Sequence, residues 1–319
     1  TTRVLPEAAD AAYAAMTESY YNPSAAYAPA VAAERTVNAC RARLADALGC
    51  GAEEVYYTSG GTESNNTALF GALAPVRGKK RIITCRTEHP SVYNVFTALE
   101  NRADIETVYI GTDASGAADL AALAGALTQD TALVSLMHVN NETGAITDLA
   151  AASALIRRNA PGAAFHVDGV QAFCKLPFAS VPCDLYSISA HKFHAPKGVG
   201  ALVVKKGLRF GGGLIGGGQE RGMRSGTTNV PGIAGMDAAL AAYRRNHAAW
   251  MRSMRDCKER LCQNLLTIPD TLINGPTVAQ GAGHILNVSF LGVRGETLLN
   301  ALSERQICVA TGSACSAHK

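Results

Sequence analysis

Two short segments pair residue types that suit carbonyl chemistry. In Ser187-Ile188-Ser189-Ala190-His191-Lys192 an apolar strand runs into a polar cluster and ends on a lysine. Such a lysine is either a solvated loop residue or an amine with a task. With a lowered pKa it condenses with an aldehyde as a Schiff base. In Phe165-His166-Val167-Asp168-Gly169-Val170-Gln171 an acid follows another apolar run. That aspartate either caps the next helix or keeps a pyridinium nitrogen protonated. A strand-end lysine with a strand-end aspartate is the pair that pyridoxal 5'-phosphate requires, a covalent anchor and an electron-sink partner.

Three further segments could complete a site. Thr58-Ser59-Gly60-Gly61-Thr62-Glu63-Ser64 joins a strand to a helix. Its glycines admit close approach, and the helix N-terminus offers free N–H groups to an anion. It is neither a Walker A loop nor a G-x-G-x-x-G fingerprint. Alone it reads as turn and cap; beside Lys192 and Asp168 it reads as a phosphate cradle. His89, in Thr87-Glu88-His89-Pro90, is either structural or an imidazole that stacks on a ring and moves protons. Cys315 lies in the tail Gly312-Ser313-Ala314-Cys315-Ser316 among small residues that would not bury it, so it reads as an exposed, reactive thiol. Cys308, between Ile307 and Val309, reads as core.

The elements that must position these residues follow from the hydrophobic pattern. Strands are expected over 54–58, 81–85, 105–110, 132–137, 163–167 and 185–189. Helices are expected between them, over 30–48, 63–71, 91–101, 119–127 and 148–159. That alternation predicts an α/β fold with a mainly parallel sheet, covered on both faces, whose strand C-termini share one ligand-binding edge. After the glycine-rich stretch 210–218 the pattern changes to a helix over 232–266, a strand over 284–290, a helix over 295–304 and a short strand over 306–310. The expected division is a large cofactor-binding domain, 1–230, and a smaller α+β domain, 231–319, incomplete at its C-terminus.

Composition bounds the rest. The 319 residues are 48% hydrophobic and 17% charged, which suits a large core and not a disordered chain. A net charge of +3 is too mild to imply nucleic acid. No apolar run reaches 18 residues, so no membrane span is expected. Nine dispersed cysteines without a C-x-x-C pair argue against a disulfide framework or a metal site and fit a reducing compartment.

In this order the segments resemble the cysteine desulfurases of the NifS/IscS family, in the class V aminotransferase branch of the pyridoxal phosphate enzymes. The resemblance runs the length of the chain. It includes Asn22-Pro23-Ser24, His138-Val139-Asn140-Asn141-Glu142 and the stretch 216–227 (GGGQERGMRSGT) as well as the segments above. The tail resembles the long-loop subgroup, which serves iron–sulfur assembly or tRNA thiolation. The resemblance implies the aspartate aminotransferase-like fold (fold type I), L-cysteine as substrate, a cytoplasmic homodimer, and a sulfur-acceptor or iron–sulfur scaffold protein as partner.

It also implies roles. Lys192 would hold the cofactor and serve as acid and base at the substrate α-carbon. Asp168 would pair with the ring nitrogen, and Gln171 with the ring 3′ oxygen. His89 would stack on the ring and assist proton transfer, with Asn141 beside ring and substrate. Gly61, Thr62, Ser189 and His191 would bind the phosphate, completed by Thr227 from a second subunit. Cys315 would take the sulfur as a persulfide and release alanine. The chain departs from the family in having Tyr27 where a histidine often stands. The arginine that binds the substrate carboxylate in the family would lie beyond residue 319. Other readings are a different lyase or aminotransferase of the same fold, which needs no Cys315, and an inactive scaffold, which needs no Lys192.

Overall fold

The computed structural model describes residues 1–78 and 80–312. Seven short runs form one sheet: β1 (Val55–Thr58), β2 (Lys80–Cys85), β3 (Ile105–Ile110), β4 (Thr131–Met137), β5 (Ala164–Asp168), β6 (Leu185–Ser189) and β7 (Gly200–Val204). Their order is β1-β7-β6-β5-β4-β2-β3. The pairs β2–β3, β2–β4, β4–β5 and β5–β6 are parallel. Only β7 runs the other way, between β6 and β1. The C-terminal ends of β1, β2, β4, β5 and β6 therefore share one edge.

Eight helices surround and extend this sheet among the described residues: α1 (Pro6–Thr17), α2 (Ala28–Leu48), α3 (Gly61–Leu73), α4 (Pro90–Leu99), α5 (Leu120–Ala126), α6 (Leu149–Asn159), α7 (Val230–Leu265) and α8 (Gly295–Ser303). Strand alternation sends neighbouring side chains to opposite faces. Ile82, Leu133, Ala164, Leu185 and Leu202 pack with α3 and α4. Ile83, Val134, Phe165, Tyr186 and Val203 pack with α1, α2, α5, α6 and α7. Both faces are thus buried, which is why β4 is apolar almost throughout and enclosed at every position. Local chemistry sets several helix ends. Asp119 caps α5 through the N–H groups of Ala121 and Ala122, and Asp148 caps α6 through that of Ala151.

The sequence passed over three elements. α1 was not anticipated, and neither was β7, because only a single 3-10 turn joins β6 to β7 and no helix marks the crossover. β8 (Thr271–Asn274) was also missed; it pairs antiparallel with β9 (Asn287–Phe290), which is shorter than the expected 284–290. The strand expected over 306–310 does not form. That segment pairs with no strand among the described residues. Cys308 is accordingly exposed rather than core, with Ile307 and Val309 about half exposed on either side. An apolar, β-branched run becomes a strand only where another edge receives its hydrogen bonds.

Candidate active site

The loop after β1 enters α3 without a side-chain cap. The N–H groups of Gly61, Thr62 and Glu63 thus have no intrahelical partner. Gly60 sits at φ +149°, a region that side chains rarely adopt, and a Cβ there would stand 3.6 Å from Ser189 Oγ. Ser189 ends β6, and its hydroxyl makes no hydrogen bond among the described residues. Glu63 turns back instead of facing this opening. It accepts the Ser59 N–H at 2.9 Å and the Arg224 Nε–H at 2.9 Å. The result is an open cluster of donors, suited to a phosphate.

Lys192 follows in the 3-10 turn Ala190–Lys192, half-buried on the same edge. His191 stands beside it with its pKa pushed down to about 4 by burial, Lys192 adding to the effect. Asp168 closes β5, next to β6 and in register with Ser187. Its carboxylate is buried, with Oδ2 accepting from Asn65 Nδ2 at 2.8 Å and Oδ1 from the Val170 N–H at 3.0 Å. Burial raises its pKa, while those two donors and the nearby His89 and Lys192 hold it down. A buried acid whose hydrogen-bond partners among the described residues are neutral donors is suited to meet a cationic ring nitrogen.

His89 caps α4, its Nδ1 receiving the Ser91 N–H at 3.1 Å. Burial lowers its pKa, and Lys192 lowers it further against the pull of Asp168. Gln171 and Asn141 are half-buried beyond β5 and β4. Asn141 makes no hydrogen bond among the described residues, because its neighbour Asn140 does the structural work. Asn140 Oδ1 accepts from the N–H groups of Glu142 and Thr143, and its amide donates to Thr87 O.

Thr227 is exposed at the end of a strap that two ion pairs fix. Glu220 and Arg221 both take left-handed backbone angles, at φ +49° and +56°. Glu220 is held there by both terminal nitrogens of Arg41 at 2.7 Å and by the Tyr57 N–H at 2.8 Å. Arg224 ties the strap to Glu63 at the cradle. Cys315 lies outside the described residues.

Sequence reasoning missed three buried polar residues. Asn65 and Ser91 are hydrogen-bonded to each other at 2.8 Å. Glu88 spends one oxygen on the Met137 N–H at 2.7 Å and leaves the other without a partner. The Asn65-Asn66 pair one turn into an apolar helix, and an acid just before His89, were the available signals.

The residues fit pyridoxal phosphate. An uncapped helix start with a Cβ-free mouth suits its phosphate, Asp168 its ring nitrogen and Lys192 its aldehyde. Among the described residues no cluster of three or more metal-ligating side chains occurs, and no helix is long and apolar enough to cross a membrane.

A profile of the aminotransferase class-V family matches residues 1–319. A cysteine desulfurase of Trichormus azollae is 40% identical over 319 residues, covering 99% of this chain and 79% of that protein. The cysteine desulfurase IscS of Pasteurella multocida is 43% identical over 289 residues, covering 89% and 70%. The solved structure of a NifS-like protein superposes with a TM-score of 0.94 at 34% identity, covering 98% of this chain and 85% of that one. The mixed, mostly parallel sheet with the site on its C-terminal edge is the fold type I architecture of these proteins. The chain belongs to the aminotransferase class-V family, as a NifS/IscS-like, pyridoxal-phosphate-dependent cysteine desulfurase.

Proposed function

We propose that Lys192, Asp168 and His89 form the reacting centre and that Cys315 receives the sulfur of L-cysteine for delivery to an acceptor protein. The observation that carries this reading is the buried Asp168 carboxylate, in the field of His89 and Lys192 at one sheet edge. The bound cofactor supplies an electron sink that makes the cysteine α-proton acidic and the C–S bond breakable. Asp168 keeps the ring nitrogen charged. Gln171 and Asn141 hold the ring oxygen and the substrate, and Gly61, Thr62, Ser189 and His191 bind the phosphate. Lys192 anchors the cofactor and carries the proton at the α-carbon. The Cys315 thiolate attacks the substrate sulfur, keeps it as a persulfide and leaves alanine.

Thr227 serves the phosphate site of a second copy in a homodimer, which its exposure on a fixed strap supports. The separate two-stranded sheet β8–β9 supports a second unit within 231–319, while the first half of α7, from Val230 to Tyr243, packs into the core of the large one. The sulfur goes to iron–sulfur assembly or tRNA thiolation in the cytoplasm, through an acceptor or scaffold protein. The test is visible absorption together with alanine and sulfide release from L-cysteine and a reductant. The expected result is a yellow protein that makes both products, and a Cys315→Ala variant that stays yellow and makes neither. A colourless wild type overturns the roles of Lys192 and Asp168.

A further inference from the structure

Asn65 lies one turn into α3, and its side-chain amide serves two partners at once. Nδ2 donates to Asp168 Oδ2 at 2.8 Å and to Ser91 Oγ at 2.8 Å. The orientation is forced, because an ionised carboxylate only accepts and the amino end must face it. Ser91 Oγ therefore accepts a hydrogen bond from Asn65, and its own O–H is free to donate to His89 Nδ1, 2.8 Å away. The Ser91 backbone N–H points at the same nitrogen from 3.1 Å. Two donors converge on Nδ1, so that nitrogen carries the lone pair and the ring proton sits on Nε2.

We propose that Asn65 and Ser91 are positioning residues that hold Asp168 and, through one amide, lock His89 as the neutral Nε2–H tautomer. The proposal rests on the reading that Asp168 and His89 flank the cofactor ring. It changes what His89 does. A neutral imidazole accepts a proton only at its bare nitrogen, and here that nitrogen is already occupied by two donors. His89 thus acts as a hydrogen-bond donor from Nε2, and Lys192 is left as the base at the α-carbon. The charged or titratable groups near the ring agree with this arrangement. Asp168 and Lys192 face His89 with opposite effects, and burial disfavours the imidazolium. Glu88 lies near enough to Asp168 for the two carboxyl groups to disfavour each other's charge.

The test is long-range proton–nitrogen NMR on the full-length protein with 15N-labelled histidine, with and without pyridoxal phosphate; His89→Gln assigns the signal. The expected result is a pyridine-type Nδ1 and a pyrrole-type Nε2 in both forms between about pH 6 and 8. Ser91→Ala and Asn65→Leu leave the Ser91 backbone N–H as the one fixed donor to Nδ1, and should admit a measurable fraction of the Nδ1–H tautomer and give an about tenfold lower kcat with KM nearly unchanged, the effect of losing one hydrogen bond of about 1.4 kcal/mol. Ser91→Thr, which keeps the hydroxyl, should restore both. A wild-type Nδ1–H ring or an imidazolium overturns the proposal, and needs no variant to fold. So does a Ser91→Ala protein whose tautomer and kcat match wild type. If adding cofactor leaves a locked His89 signal unshifted, the ring is elsewhere; the site reading then fails and the positioning role with it. If the signal shifts but the tautomers are mixed, the site reading stands and only this inference fails.

Discussion

At the scale of single residues, the site is a set of buried polar groups whose charges are set by their neighbours. Glu88 is the sharpest case. Burial pushes its carboxyl well above the ordinary value of 4.5, and Asp168 pushes in the same direction. The folded protein thus holds this proton more tightly than the unfolded chain. The stabilising contribution is complete below about pH 4.5 and is lost as pH rises through the folded value. Glu88→Gln keeps an acceptor for the Met137 N–H and cannot ionise. Its urea midpoint, measured without cofactor, should exceed wild type at about pH 8 and converge with it toward about pH 4. Glu88→Ala strips the acceptor and should cost about 1–3 kcal/mol at either pH.

At the scale of elements, a strap and a helix start do the positioning. Arg41 and Glu220 are both nearly enclosed, with 7% and 6% of their side chains accessible. Removing one partner of such a pair leaves a buried charge alone. Arg41→Ala should lower unfolding free energy by about 3–5 kcal/mol, whereas an apolar swap of both residues should cost less, about 1–3 kcal/mol for the Tyr57 N–H it leaves without an acceptor. Equilibrium urea unfolding of the single and double variants separates the two. The start of α3 gives a second expectation. Gly60→Ala sets a side chain into a backbone angle that disfavours it, at the mouth beside Ser189. The cost is about 1–3 kcal/mol of strain. Titration of the cofactor-free protein with pyridoxal phosphate should show weakened binding, with the far-ultraviolet spectrum unchanged.

At the scale of the whole molecule, burial is uneven. The strands from β4 to β7 are enclosed at every position, while α8 has no buried residue and β8 and β9 are only half covered. Regions with few buried contacts open at lower free energy than the core. Native-state hydrogen exchange on this chain should find β4 and β5 amides slowest and β8, β9 and α8 fastest. Equal protection across both sheets would contradict this gradient.

The sequence by itself determined the elements whose cause is local. Apolar β-branched runs gave β2 to β6, Asp119 and Asp148 announced their helices, and Gly60-Gly61 announced an uncapped start. Lys192, Asp168 and His89 were legible too, because each stands just past a strand and strand ends share an edge in such sheets. What depended on distant partners was not legible. β7 had no helix to announce it, and 306–310 had the pattern of a strand but no edge to join. Asn65, Ser91 and Glu88 looked like ordinary helix and loop residues. Only the folding of α3, α4 and β5 onto one sheet edge brought Asn65 and Ser91 within hydrogen-bonding reach of each other, of Asp168 and of His89, and Glu88 within reach of the Met137 N–H. Tertiary structure decided these cases because a hydrogen bond is satisfied at about 3 Å in space, whatever the separation along the chain.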